Sequence, residues 1–181
     1  MIDFKKTFEM LCQDTRSDIH EHLPTLLNYG KLVDHITEFG VRNGQSTFAW
    51  WYASPKTLRC YDINHCNVHH QLMACVGDKP YIADYKFFQA NVLEIEIEET
   101  DLLFIDTYHT YGQLSKELAL HGNKARRYLI FHDTVTFGEQ GEDGKEPGLM
   151  AAIDEFMLEN PHWWFLEIFS NNNGLTVLER G

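Results

Sequence analysis

Four short segments hold the side chains best suited to chemistry, and the first is the most informative. It reads Glu38-Phe39-Gly40-Val41-Arg42-Asn43-Gly44-Gln45-Ser46 and follows the run 31–37. Asp62 closes the next apolar run, 62 − 44 = 18 residues after the second glycine. The glycines let backbone approach a ligand with no Cβ in the way. A carboxylate at that distance suits the two hydroxyls of a ribose. A dinucleotide loop would read G-x-G-x-x-G, with a pyrophosphate against helix-terminal N–H groups. Here the spacing is Gly40-x-x-x-Gly44, with Glu38 two residues ahead. A carboxylate repels a pyrophosphate but favours an ammonium or a sulfonium, so the loop suits S-adenosylmethionine better than NAD. In that reading Glu38, Gly40, Gly44 and Ser46 shape the methionine side of a pocket, Ser46 also capping the next helix. Asp62 holds the ribose and Ile63 covers an adenine face. The alternative is a strand followed by a turn that needs glycine.

The remaining segments are Asp106, His109 three residues later, and the pair His132-Asp133. An imidazole titrates near neutral pH and can take and release a proton. Asp106, His132 and Asp133 together offer two carboxylates and an imidazole to a divalent ion. Magnesium prefers oxygen, so the histidine admits manganese, iron or zinc as well. Against these roles, His109 could cap the helix that follows or merely orient Asp106. Asp133 could bond backbone N–H groups of the loop behind it.

Those groups need a frame that brings them to one edge. Residues 3–30 read as helix, with Pro24 near the first turn of a second helical piece and Phe4, Phe8 and Leu11 on one face, and form a cap of residues 1–30 on an α/β core of 31–181. The core alternates strand (32–39), helix (46–53), strand (57–62), helix (66–76) and strand (85–89). It continues with strand (101–106), helix (111–121), strand (127–132) and helix (148–160). Gly77-Asp78-Lys79-Pro80 breaks the second core helix. Two last strands, 163–169 and 175–179, flank Asn171-Asn172-Asn173-Gly174, a hairpin signal because Asn and Gly tolerate positive φ. This order predicts one domain with a doubly wound, mostly parallel seven-stranded sheet and an antiparallel C-terminal hairpin. Ligands of such sheets bind beyond the carboxyl ends of the strands, where Glu38 to Gly44, Asp62, Asp106 and His132-Asp133 all fall.

These residues resemble the class I S-adenosylmethionine-dependent methyltransferases. The likeness is closest to the branch of small-molecule O-methyltransferases and cephalosporin-hydroxylase-like proteins. It is carried by Glu38 to Ser46, Asp62, the run Asp101 to Tyr111 with its D-x-x-H-x-Y pattern, Phe131-His132-Asp133-Thr134, and the tail from Gly174 to Arg180. The resemblance implies a Rossmann-like methyltransferase fold, S-adenosylmethionine as cofactor, and O-methylation of a small molecule or sugar hydroxyl. It implies His109 as general base, with Asp106 supporting metal or substrate beside the cofactor, and Asn91 near the adenine amino group. Metal-dependent members place acidic residues after the fourth and fifth strands; this chain departs from them at His132, where an oxygen ligand is usual. Magnesium or manganese is the metal implied.

Other features fit or bound this reading. With 27 acidic against 15 basic residues the net charge is −12, which disfavours nucleic acid and anionic membrane as partners. Hydrophobic residues at 44% in a 181-residue chain suffice for a folded core. No apolar run approaches the ~20 residues of a membrane span, and the start lacks a secretory apolar core, so cytoplasm is the expected address. Cys12, Cys60, Cys66 and Cys75 include no C-x-x-C pair and are expected as reduced thiols. The run His65-Cys66-Asn67-Val68-His69-His70 reads as helix surface, because a structural zinc site needs a companion cluster. Trp50-Trp51-Tyr52 reads as core, since one helix cannot aim three consecutive side chains at one ligand. Residues 134–148, rich in glycine and acid, form either a lid or a solvated loop. A non-catalytic module that binds S-adenosylmethionine or a nucleoside on the same fold is the competing function.

Overall fold

The computed structural model describes residues 2–76, 80, 82–145 and 147–181. The chain forms two compact units, Met1–Asn91 and Val92–Gly181. The first unit opens with β1 (Ile2–Asp3) and α1 (Phe4–Leu11), where the Asp3 carboxylate accepts the Lys6 N–H and caps the helix. A 3-10 turn at His20–His22 leads into α2 (Leu23–Gly30), with Pro24 in its first turn, where a missing N–H is harmless. Then follow β2 (His35–Phe39), α3 (Gln45–Ala53), β3 (Thr57–Asp62), α4 (Val68–Ala74), β4 (Cys75–Val76) and β5 (Asp84–Gln89). The second unit contains β6 (Thr100–Ile105), α5 (Tyr111–His121), β7 (Ala125–His132), α6 (Leu149–Glu159), β8 (Trp163–Phe169) and β9 (Leu175–Arg180).

Seven strands form a mixed sheet of order β5-β3-β2-β6-β7-β9-β8, the α/β arrangement expected from the strand and helix alternation. In the first unit β3 pairs in parallel with β2 and with β5. In the second, β6 and β7 are parallel, and β9 runs antiparallel to both β7 and β8. The β8–β9 turn takes positive φ at Asn172, Asn173 and Gly174 (44°, 71° and 95°), the conformations that Asn and Gly adopt at least cost.

Each unit has its own core. In the first, Ile36, Phe39, Leu58 and Cys60 are buried in the strands. Phe4 stacks on Phe48 at 5.7 Å, and Phe4 and Phe8 meet Tyr52 edge-on at 5.6 and 5.1 Å. The N-terminal segment therefore packs on α3. Trp50 is wholly buried and the Trp51 indole N–H donates to the Pro80 carbonyl at 2.8 Å, as core residues would. In the second unit Leu102, Leu103, Phe104, Leu129, Ile130 and Phe131 of the strands are buried, as are Leu114, Leu118, Ile153 and Phe156 of the helices.

Three element expectations are refined. The helical reading of 3–30, with Pro24 near the first turn of a second piece, resolves into α1, a 3-10 turn and α2. The first strand begins at His35, not at residue 32. Helix 66–76 shortens to α4, because Cys75 and Val76 leave it to pair in parallel with Ile2 and Asp3. The break expected at Gly77-Asp78-Lys79 lies outside the described residues. Among the described residues no helix is long and apolar enough to cross a membrane, and the four cysteines are free thiols.

Candidate functional site

The first cluster lies in the Met1–Asn91 unit, beyond the carboxyl ends of β2 and β3. After Phe39 the chain turns through Gly40 and Gly44, with φ of 82° and 77°. Arg42 between them also sits in the left-handed region, at 49°, an arrangement that needs outside support. Asp62 supplies it. The β2–β3 register sets Phe39 opposite Tyr61, so the next residue of β3 reaches the loop. Asp62 Oδ2 accepts the N–H groups of Val41 and Arg42, both at 2.9 Å, and Oδ1 accepts that of Asn64 at 2.8 Å. A carboxylate has about four acceptor positions, so Oδ1 retains capacity for a ligand hydroxyl. Ile63 beside it is 66% exposed. Asn91 is half-buried, two residues past β5.

Glu38 is placed differently from the sequence expectation. It has no exposed surface, and its oxygens accept the hydroxyls of Ser46 at 2.6 Å and Thr47 at 2.7 Å. The carboxylate braces the first turn of α3 from below the loop. Ser46 is consequently not the helix cap: Gly44 occupies that position, and the Ser46 hydroxyl is committed to Glu38. Gly44 also meets a packing demand, since a Cβ there would stand 2.1 Å from Val68 Cγ2. His65 and Cys66 precede α4, so they do not share a helix face with His69 and His70. His65 instead meets the Phe87 ring edge-on at 6.4 Å.

The second cluster lies in the Val92–Gly181 unit, at the carboxyl ends of β6 and β7. Asp106 follows β6. Thr110 is the N-cap of α5, its Oγ1 accepting the Gln113 N–H at 3.3 Å. His109 is therefore free of capping and turns inward. Its Nε2 lies 3.0 Å from Asp133 Oδ2 and 3.4 Å from Asp106 Oδ1, while Nδ1 lies 2.9 Å from Glu142 Oε2. The ring lies flat on Phe137, 4.9 Å between centroids and 7° between planes. His132 is almost fully buried. Its Nε2 donates to the Asn172 carbonyl at 3.2 Å, and Nδ1 faces Asp133 Oδ2 at 3.1 Å and Asp106 Oδ1 at 3.5 Å.

These contacts set the charges. Burial alone would push both rings toward neutrality, but hydrogen bonds and charge from Asp106 and Asp133 outweigh it and raise each pKa to about 10. Burial likewise opposes ionisation of Asp106 and Asp133, yet the two histidines hold both carboxyls below the usual range. At neutral pH the cluster holds imidazolium rings between carboxylates. In that state His109 Nε2 must give up its proton before it can act as a base or hold a metal ion.

A cation would meet a suitable donor set here. One oxygen each of Asp106 and Asp133 and one nitrogen of His109 lie within 4.8 Å of one another. Asp133 Oδ1 is buried with no hydrogen-bond partner among the described residues, and such an atom calls for a cation or a water. The imidazole of this set is His109; His132, to which the sequence pointed, turns its Nδ1 to the same two carboxylates at 3.5 and 3.1 Å, while its Nε2 is tied to the β8–β9 turn. Nor does the Asp133 side chain cap the following loop, for the Phe137 N–H goes to the Asp133 carbonyl at 3.0 Å. Asp133 itself has a φ of 61°, a strained value held by the contacts around it.

Three participants were missed in the sequence. Glu142 and Phe137 lie in an irregular loop where no periodicity marks them. Glu117 had a signal, since it shares the apolar stripe of Leu114, Leu118 and His121. It is fully buried and accepts from Thr107 Oγ1 at 2.8 and 2.9 Å and from Gln113 Nε2 at 2.8 Å. Burial raises its pKa to about 7 against those bonds.

No family model and no curated protein matches the chain. Its fold is similar to several solved structures. Magnesium protoporphyrin IX methyltransferase from Synechocystis PCC 6803, with bound S-adenosylmethionine, is 14% identical with a TM-score of 0.64, over 90% of this chain and 78% of that one. An O-methyltransferase from Bacillus cereus in complex with S-adenosylhomocysteine is 14% identical with a TM-score of 0.58, over 97% and 91%. A Podospora anserina methyltransferase bound to S-adenosylhomocysteine is 16% identical with a TM-score of 0.56, over 88% and 78%. At these identities the likeness is one of architecture, and the chain has the Rossmann-like fold that these methyltransferases share.

Proposed function

We propose that the chain is an S-adenosylmethionine-dependent methyltransferase that transfers the methyl group to a hydroxyl of a small molecule or sugar. The observation that carries this reading is Asp62, clamped to a two-glycine loop at the strand ends with acceptor capacity to spare. Gly40 and Gly44 open the backbone for the methionine portion, braced from within by Glu38 through Ser46. Asp62 accepts the ribose hydroxyls, and Ile63 and Asn91 border the adenine.

Methyl transfer from a sulfonium is a direct displacement, so the main contribution is alignment of the acceptor oxygen behind the methyl group. The acceptor must also lose its proton. Asp106, Asp133 and His109 form the acidic, histidine-bearing cluster suited to that end of the reaction. Asp106, Asp133 and His109 Nε2 would hold magnesium or manganese, which supplies Lewis-acid polarisation of an acceptor oxygen. His132 keeps the two carboxylates charged and oriented from behind. The acidic chain, at −12, favours a small acceptor over nucleic acid or a membrane surface, and a cytoplasmic setting suits its four free thiols.

Calorimetry with S-adenosylmethionine and S-adenosylhomocysteine tests the proposal directly; folded protein that binds neither defeats it. A second reading, a cofactor-binding module without turnover, draws on the protonated state of His109. Methyl release from labelled cofactor, screened over sugar and phenolic acceptors with and without manganese, separates the two.

A further inference from the structure

We infer that Glu142, assisted by Phe137, is a positioning residue that fixes the His109 ring so that Nε2 faces Asp106 and Asp133. This rests on reading those three residues as the acceptor-side site. An imidazole pivots about its Cβ–Cγ bond, and half a turn would exchange the edges it presents. Two contacts from residues 134–148 prevent that. Phe137 lies parallel to the ring and fixes its plane. Glu142 Oε2 takes Nδ1 at 2.9 Å and fixes its facing.

An isolated ion pair at a half-exposed carboxylate would contribute little, but Glu142 is attached twice. Its backbone N–H also donates to the His109 carbonyl at 2.9 Å, so the side chain starts from a point tied to its target. The described residues of the loop are fastened at several points. Val135 and Thr136 N–H groups reach the Asn173 carbonyl at 2.9 and 3.0 Å, and the Tyr111 N–H reaches the Pro147 carbonyl at 3.1 Å. Gln140 and Pro147 form an antiparallel bridge. Gly141 lies so close to the backbone of His109 and Thr110 that a Cβ would come within 3.3 Å of both. Much of the segment is exposed, as a solvated loop would be, and its anchored residues form a bracket for the histidine. A carboxylate on the far nitrogen of a metal-binding histidine fixes the tautomer and raises ligand basicity. Glu142 occupies that place.

The test compares wild type, Glu142→Ala and Glu142→Gln in manganese calorimetry and in long-range 1H–15N spectra of the histidine rings. Glu142→Ala should weaken manganese binding by about 10- to 100-fold, shift the His109 Nδ1 resonance, and leave the thermal midpoint near wild type. Glu142→Gln, which keeps an acceptor oxygen, should restore most of the affinity and the resonance. Wild-type affinity with an unmoved Nδ1 resonance in Glu142→Ala overturns the inference. Asp133→Asn separates the underlying reading: if wild type binds no manganese, or Asp133→Asn binds it equally well, the metal role fails. The Nδ1 resonance of Glu142→Ala then decides the positioning role alone, a shift sustaining it and no shift overturning it.

Discussion

His109 Nε2 stands 3.0 Å from Asp133 Oδ2, although the two residues leave different strands 133 − 109 = 24 positions apart. The parallel pairing of β6 with β7, Ile105 against Phe131, puts both strand ends at one level, and the left-handed backbone of Asp133 turns its carboxylate toward the ring. The pair is thus a product of register and of one strained residue.

Replacing Asp133 by Asn should lower the His109 pKa from about 10 by about one to three units, the range for loss of a close opposite charge. Histidine 15N shifts followed over pH would show it. The folded pKa of His109 lies above its ordinary 6.5, so its ion pairs stabilise the fold fully below about pH 6.5 and cease to do so as pH rises through 10. The stability deficit of Asp133→Asn should accordingly be larger at pH 7 than at pH 10.5. A His109 titration unchanged by the substitution would sink the electrostatic account of the cluster.

Glu117 gives the opposite pH signature to an ordinary paired carboxylate. Its folded pKa of about 7 exceeds the usual 4.5, so the native state binds the extra proton between those values and stability falls as pH rises through the window. The full effect is about 3 kcal/mol, 7 − 4.5 units at about 1.4 kcal/mol each. Glu117→Gln should flatten that slope, so that urea midpoints at pH 5 and pH 7.5 converge relative to wild type. An equal slope in the variant would mean that Glu117 is ionised throughout.

Much of this was legible in the sequence. The pattern of helix and strand ran close to the observed elements because buried parallel strands are unbroken apolar runs. Asp62 ends β3 as its spacing indicated, because strand-end position is a backbone property. Glu38 shows where such reading stops. Its type and spacing suggested a ligand-facing carboxylate, but only three dimensions reveal two hydroxyls of α3 directly above it, and a buried carboxylate takes the nearest donors. That His109 joins His132 beside Asp106 and Asp133 was equally hidden, because it depends on the loop that carries Phe137 and Glu142.

Gly44→Ala should destabilise the first unit for two separable reasons. Its φ of 77° is costly for any residue with a Cβ, and that Cβ would stand 2.1 Å from Val68 Cγ2 and 2.6 Å from Val68 Cβ. Together these amount to about 2–4 kcal/mol. Val68→Gly in the same chain should recover the steric part and leave the backbone part, a coupling that a double-mutant cycle in urea measures. Strict additivity would show that Val68 does not press on the loop.

Asp62→Asn tests the donor side, because the carboxylate is asked to do two things at once. Its oxygens already satisfy three backbone N–H groups, those of Val41, Arg42 and Asn64, and an amide has only one oxygen with which to replace them. One N–H must then lose its acceptor, at a cost of about 1–3 kcal/mol. The same amide offers a ribose a weaker, uncharged acceptor. Charged hydrogen bonds contribute about 1.5–3 kcal/mol, so affinity for S-adenosylhomocysteine should fall roughly 10- to 150-fold. Measured side by side, the two losses separate the roles. A fall in stability with affinity intact leaves Asp62 as a clamp for the glycine loop and moves the ribose elsewhere. A fall in both is the expected result, and its size in affinity reports how much of the carboxylate the loop leaves available to the sugar.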